Sequence, residues 1–204
     1  MAKTTKNTEE VEDKFEEMGL DELCECLASA SRRDRQKAAA RIAALAKEDP
    51  KSLVECKHEI IDALERPEAR TRWECLDALT SIIGTDSSVC DAAYESVEEA
   101  LFDEENGTVR LAAMRFICKM GMVSGKKASK VWPVMDEALQ CYHGDPEYTD
   151  MLVAVNEFAG RKLPAEVAQG LVDRMEFDAN NAKSGLLRRA NSIIDAASKS
   201  LAKK

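Results

Sequence analysis

Between Arg110 and Gly121 the apolar residues fall 3, 4, 7 and 10 positions after the arginine, at Ala113, Met114, Ile117 and Met120. At about 100° of turn per residue this spacing lines one face of an α-helix, with polar residues on the other. The same offsets counted from Arg72 reach Cys75, Leu76, Leu79 and Ile82, and counted from Arg35 they reach Ala38, Ala39, Ile42 and Leu45. The arginines are 37 and 38 residues apart, so the pattern predicts three equivalent amphipathic helices.

A second column repeats with almost the same period. Leu27, Leu64, Leu101, Leu139 and Met175, spaced by 37, 37, 38 and 36, each close an apolar run that precedes the arginine-type helix. The segments in between ("ASASRRD", "ERPEAR", "FDEENGT", "QCYHGDPEY", "EFDANNAKS") are rich in the residues that stop and cap helices. Each period therefore reads as a helix pair. Approximate repeats cover 20–53, 54–90, 91–130, 131–165 and 166–200, in one domain over 9–200. In the fourth repeat Tyr148 or Thr149 stands where the arginine would be, and in the fifth Lys183 is the nearest match. A last unit whose outer face meets water is expected to be atypical. Residues 1–8 read as a disordered N-terminus, and Val11, Phe15 and Met18 as the apolar side of a short acidic capping helix. Lys199 to Lys204 reads as a fraying end. Trp132, just before Pro133, is expected at a helix start, packed as a hydrophobic staple.

A helix pair of about this length, with Val109–Arg110 opening the second helix, Ala112 and Ala113 next, then Ile117, Met120 and Gly121, resembles a HEAT repeat. Arg72, Cys75, Ala78, Leu79, Ile82 and Gly84 carry the same likeness less fully. Within that group it is most similar to the bacterial HEAT-like proteins of the phycobilisome-lyase type, over roughly residues 20–200. The resemblance implies an all-α, right-handed α–α superhelix of the HEAT/armadillo kind, with about five helix pairs. A single pair cannot bury its own apolar face, so stacked neighbours share one core. HEAT-like alkylpurine DNA glycosylases have the same fold class and supply the alternative reading, a nucleic-acid-binding protein.

Composition agrees with helices. Only 5 prolines and 9 glycines occur, aromatics are 5%, and 33% of residues are charged. The formal net charge is −9. Residues 1–30 hold 9 acids against 3 bases, while 31–130 hold 18 against 17 and 131–204 hold 11 against 9. The acidity is thus mainly N-terminal, and the body lacks the cationic excess of a general nucleic-acid binder or of a glycosylase cleft. The densest basic run, Arg32, Arg33, Arg35, Lys37 and Arg41, would form a stripe with Arg72, Arg110, Arg115 and Lys119, but Glu74, Asp77, Asp150 and Glu157 lie on the same row of helices. Met1 to Asn7 is polar with no apolar run after it, and no stretch has the length and apolarity of a membrane span. The seven cysteines are then expected as reduced thiols in a cytoplasm.

Little in the sequence points to chemistry. Cys24-x-Cys26 and Cys56-x-His58 lie in predicted helices, where residues two apart point about 200° from each other, a poor arrangement for zinc. Cys141-x-His143 falls at a turn. No Gly-x-Ser-x-Gly, His-Glu-x-x-His or phosphate-cradling glycine loop occurs to give His58 or His143 a catalytic setting, and both are expected at surface or turn positions. No catalytic residue, metal or cofactor is expected. What remains is a binding surface. Offsets 1, 5 and 9 of the second helices face solvent, and in repeats two and three they place Trp73, Asp77, Leu111, Arg115 and Lys119 there. An exposed tryptophan and leucine among charges suit a protein or peptide partner on the concave face of a scaffold without catalysis.

Overall fold

The computed structural model describes residues 14–202, and these are helical with no strand. The helices form five consecutive pairs. The first comprises α1 (Leu20–Leu27) and α2 (Arg32–Glu48). In the second, the first helix is short, α3 (Lys57–Asp62) continued by a 3-10 turn at Ala63–Glu65, and α4 (Ala69–Ile82) follows. The third has α5 (Val89–Ala92) and α6 (Tyr94–Leu101) before α7 (Gly107–Gly121). The last two pairs are α8 (Gly125–Cys141) with α9 (Tyr148–Ala159), and α10 (Ala165–Asn181) with α11 (Ser184–Leu201). The chain divides into two compact units, one ending at Val97 and one starting at Glu98.

In the N-terminal unit α1 packs on α2 and α3, and α2 packs on α4. In the C-terminal unit α7 packs on α8 and α9, α8 on α10, and α11 on both α9 and α10. First helices thus stack on first helices and second on second, the arrangement that lets each pair complete its neighbour's core.

The period read from the sequence is the period of the fold. Arg35, Arg72 and Arg110 are each the fourth residue of their helix, and each backbone N–H donates to the carbonyl of the residue that caps it, Ser31, Glu68 and Asn106, at 3.1–3.2 Å. Ala39, Leu76 and Met114, four positions on, are fully buried. Leu27, Leu64, Leu101, Leu139 and Met175 are buried as well. Leu45 departs from the expectation: it is only half-buried, and Ala46 takes the inner position. An offset of 11 lies nearer the middle of the apolar face than an offset of 10. Ala46, Ile83 and Gly121 share it, and all are buried. At Gly121 a Cβ would stand 2.6 Å from the ring of Phe158, so a bare backbone here lets α7 and α9 approach closely. In the fourth repeat burial settles the register on Tyr148, since Met151, Leu152, Val155 and Phe158 are all buried.

Two expectations are corrected. Trp132 does not open a helix: α8 starts at Gly125, capped by Ser124, whose hydroxyl accepts from the Lys127 N–H at 3.2 Å, and it runs through Pro133. Trp132 lies in mid-helix with its indole against the backbone of Gly170, where a Cβ would stand 2.6 Å from the ring. The helix around Pro133 is held by buried Ala128, Val131, Val134 and Met135, so tertiary packing outweighs the missing N–H donor. Nor does the chain fray at Lys199. Helix α11 continues to Leu201, and the Ser200 hydroxyl accepts from the Leu163 N–H and donates to the Arg161 carbonyl. At the other end, residues 14–17 are helical and Phe15 is buried, whereas Val11 and residues 1–8 lie outside the described residues.

One surface ion pair in the N-terminal unit has a pH signature. The Lys57 ammonium donates to Asp86 at 2.6 Å and to the Ser88 hydroxyl at 2.7 Å. The lysine bond first, then the Ser88 hydroxyl and N–H, lower the Asp86 carboxyl from 3.8 to about 2. A carboxyl depressed on folding contributes stability that is complete above its unfolded value and lost as pH falls through its folded value. Melting temperatures of wild type and Asp86→Asn are therefore expected to converge between pH 4 and about 2. Parallel curves across that interval would show that Asp86 is not depressed.

Candidate functional site

The arginine column is structural. Arg35 donates from Nε to Glu68 at 3.1 Å, makes a second short bond to the same carboxylate, and reaches the Ser29 carbonyl at 2.6 Å. Arg110 repeats the arrangement. Its Nε donates to Glu147 at 2.6 Å, its Nη1 to the Asp103 carbonyl at 2.8 Å, and its guanidinium lies 4.6 Å over the Tyr142 ring. In both cases the arginine ties the turn of its own pair to the residue that caps the next second helix, since Glu68 caps α4 and Glu147 caps α9. The guanidinium beside it holds the Glu68 carboxyl below the usual carboxylate range. In the fourth repeat a tyrosine stands at this position and reaches a different element: the buried Tyr148 hydroxyl donates to Asp178, in the last turn of α10, at 2.9 Å.

Asp178 is 2% exposed, and its other oxygen bonds His143 Nε2 at 2.8 Å. His143 is indeed in a turn but is not idle, because its ring also meets Tyr148 and Phe177 edge-on. Burial first, and the Asp178 bond second, push the Tyr148 hydroxyl far above its ordinary value, so it stays a donor. With both carboxylate oxygens engaged, this cluster is a closed network that fastens α9 to α10. His58 is exposed.

The sulfur pairs seen in sequence are rearranged by the fold. Cys24 hydrogen-bonds Cys56, across α1 and the start of α3, rather than meeting Cys26. Burial raises both thiols, Cys24 further because it also shares that bond. All seven cysteines are free, with Cys141 exposed and Cys26 half-buried. Among the described residues no three His, Cys, Asp or Glu side chains are grouped to hold a metal ion. No helix among them is long and apolar enough to cross a membrane.

The five residues singled out by offset lie on two helices. Trp73 and Asp77 are half-buried and one turn apart on α4. Leu111 is half-buried and Arg115 and Lys119 are exposed, in steps of four along α7. Steps of four keep side chains on one face, so each helix presents its own patch. The cationic stripe is not free: Arg35 and Arg110 are locked as above, Arg41 pairs with Glu16 at 3.0 Å, and Lys37, Arg72 and Arg115 are engaged as well.

The C-terminal unit also holds a groove that includes none of the five residues predicted from the offsets. Between α9 and α11 a cavity of about 590 Å³ is lined by Asn156, Arg188, Asn191, Ser192, Asp195 and Lys199. The Ser192 hydroxyl donates to Asn156 at 2.9 Å across it. The signal was present, because offsets 5 and 9 counted from Lys183 land on Arg188 and Ser192.

No protein-family model matches the chain, and no curated protein matches its sequence. Solved structures do match in fold. A designed armadillo repeat protein in complex with the peptide (KR)4 superposes with a TM-score of 0.71 at 17% identity, covering 87% of this chain and 81% of the other. Computationally designed armadillo repeat proteins for modular peptide recognition give 0.67 at 17% identity, with the same coverage. An engineered protein gives 0.72 at 16% identity, over 88% of this chain and 81% of its own. The paired helices, their stacking and these likenesses together make the fold an all-α helical-repeat solenoid of the armadillo kind.

Proposed function

We propose that the chain is a non-catalytic scaffold that binds a protein or peptide partner on the face of its second helices, the concave side in solenoids of this type. The observation that carries this reading is the fold likeness to designed armadillo repeat proteins, one of them in complex with a peptide. Trp73 with Asp77, and Leu111 with Arg115 and Lys119, are the contact patches. A half-buried tryptophan and an exposed arginine match the composition of interface hot spots, with Leu111 as apolar surround. The use of Arg35, Arg110 and Tyr148 in the scaffold leaves recognition to the offsets beyond them. Within the helical-repeat class we assign the chain to the HEAT-like group, on Val109–Arg110, the small residues after it and Gly121. A cytoplasmic setting goes with this reading, since seven free thiols suit a reducing compartment.

The test is a peptide-display selection on the immobilised full chain, with selected binders measured by anisotropy. Trp73→Ala, or Leu111→Ala with Lys119→Ala, is expected to weaken them by about tenfold or more, as loss of a hot spot does. Failure to select any peptide, or tight duplex DNA binding with a steep salt slope, would overturn the scaffold reading.

A further inference from the structure

We infer that the groove between α9 and α11 binds an extended acidic peptide segment, rich in aspartate or glutamate. The inference rests on the scaffold reading and adds to it a place and a sign of charge.

The groove is two adjoining pockets that share Asn156, Arg188 and Ser192; Arg188 and Lys199 line one of them with the acid Asp195, and Arg188 and Arg189 line the other. Arg188 and Lys199 are exposed, and neither has an ion-pair partner among the described residues. Arg189 is half-buried, and its Nε is buried with no hydrogen-bond partner. Other arginines of the same unit are committed: Arg110 to Glu147, and Arg174 to Asp136 through two bonds of 2.6 and 2.8 Å. Positive charge is thus left uncompensated along this groove. A carboxylate placed there gains charge-assisted hydrogen bonds from the exposed Arg188 and Lys199 side chains.

Dimensions favour a peptide over a small anion. The lining runs along α11 from Gly185 to Lys199, roughly 21 Å at 1.5 Å per residue. That length holds about six residues of extended chain. Asn156 and Asn191 bring side-chain amides, which both donate and accept and so match a peptide backbone. The sign is opposite to that of the (KR)4 peptide on the designed neighbour.

Fluorescence anisotropy on the full chain tests this with four labelled probes: (Asp-Glu)4, its amide counterpart (Asn-Gln)4, (Lys-Arg)4 and a single-stranded 12-mer DNA. The acidic peptide is expected to bind at least about tenfold tighter than its amide counterpart, and to weaken as salt rises. Arg188→Glu with Lys199→Glu is expected to weaken it by about tenfold or more, with the circular dichroism and melting curve unchanged because both side chains are exposed. Equal or tighter binding of (Asn-Gln)4, (Lys-Arg)4 or the DNA, or an unchanged affinity in the charge-reversed variant, would overturn the inference. If display-selected peptides still bind through Trp73 or Leu111 while (Asp-Glu)4 does not, only the acidic-peptide inference falls. If no peptide of any composition binds, the scaffold reading falls with it.

Discussion

Leu76→Asp is expected to unfold the N-terminal unit under conditions where the wild type is stable. Leu76 is fully buried on the face of α4, the helix packed against α2. Aspartate there would forfeit about 1.5–3 kcal/mol of apolar burial. It would also bury a carboxylate at a fully buried position, a cost of several kcal/mol more. A stability of about 5–15 kcal/mol leaves little after such a loss. Because α2 and α4 complete one another's core, amide exchange in α2 should quicken together with that in α4. The neighbouring variant Asp77→Ala is the control. Asp77 is half-buried and has an interaction partner, so its loss should cost no more than about 1 kcal/mol. Thermal melts of the two decide the register. If Asp77→Ala is the more damaging, the inward face of α4 lies one residue away from Leu76, and the patch assigned to Trp73 and Asp77 is lost with it.

Arg110→Ala carries the second large effect. It deletes the bonds to Glu147 and to the Asp103 carbonyl and the contact with the Tyr142 ring, and it strands a carboxylate that is only 9% exposed. Breaking a buried pair from one side typically costs about 3–5 kcal/mol, much of it the penalty on the group left behind. The melting temperature of the C-terminal unit should fall by roughly 10 °C or more. Removing both partners should cost less than the two single changes together, with a coupling of about 1–3 kcal/mol. Strict additivity in the Arg110→Ala, Glu147→Ala cycle would mean that the arginine acts through the turn carbonyl and the tyrosine alone. Glu147→Gln separates these cases, because it keeps an acceptor of the same size for Arg110 while removing the charge.

The uneven legibility of the site follows from how far apart its parts are in the chain. Trp73, Asp77, Leu111, Arg115 and Lys119 could be assigned to solvent-facing offsets because a helix repeats every 3.6 residues. Arg115 and Lys119 are exposed, whereas Trp73, Asp77 and Leu111 are half-buried, less open to solvent than an exposed tryptophan and leucine would be. The groove holding Arg188 is less legible, because Lys183 matches the arginine position only weakly and leaves the register of the last helix open. Its meaning depends on which cations remain unpaired, and pairing is invisible along one strand of sequence.

What the sequence determined by itself is the part governed by local periodicity. The five pairs, the equivalence of Arg35, Arg72 and Arg110, and the burial of Ala39, Leu76 and Met114 all follow from apolar spacing within a helix and a period near 37. Only the tertiary structure decided the partners. Arg35 meets Glu68 33 residues away, Arg110 meets Glu147 37 away, and Tyr148, at the arginine's position, bonds Asp178 30 away. Each turn offers several acids, and the stacking of one pair on the next selects which of them comes within 3 Å. The same stacking joins Cys24 to Cys56, carries α8 through Pro133, and lays Trp132 on Gly170. These outcomes depend on close packing between elements a full repeat apart, where a side chain's neighbours are set by helix approach and not by its own place in the chain.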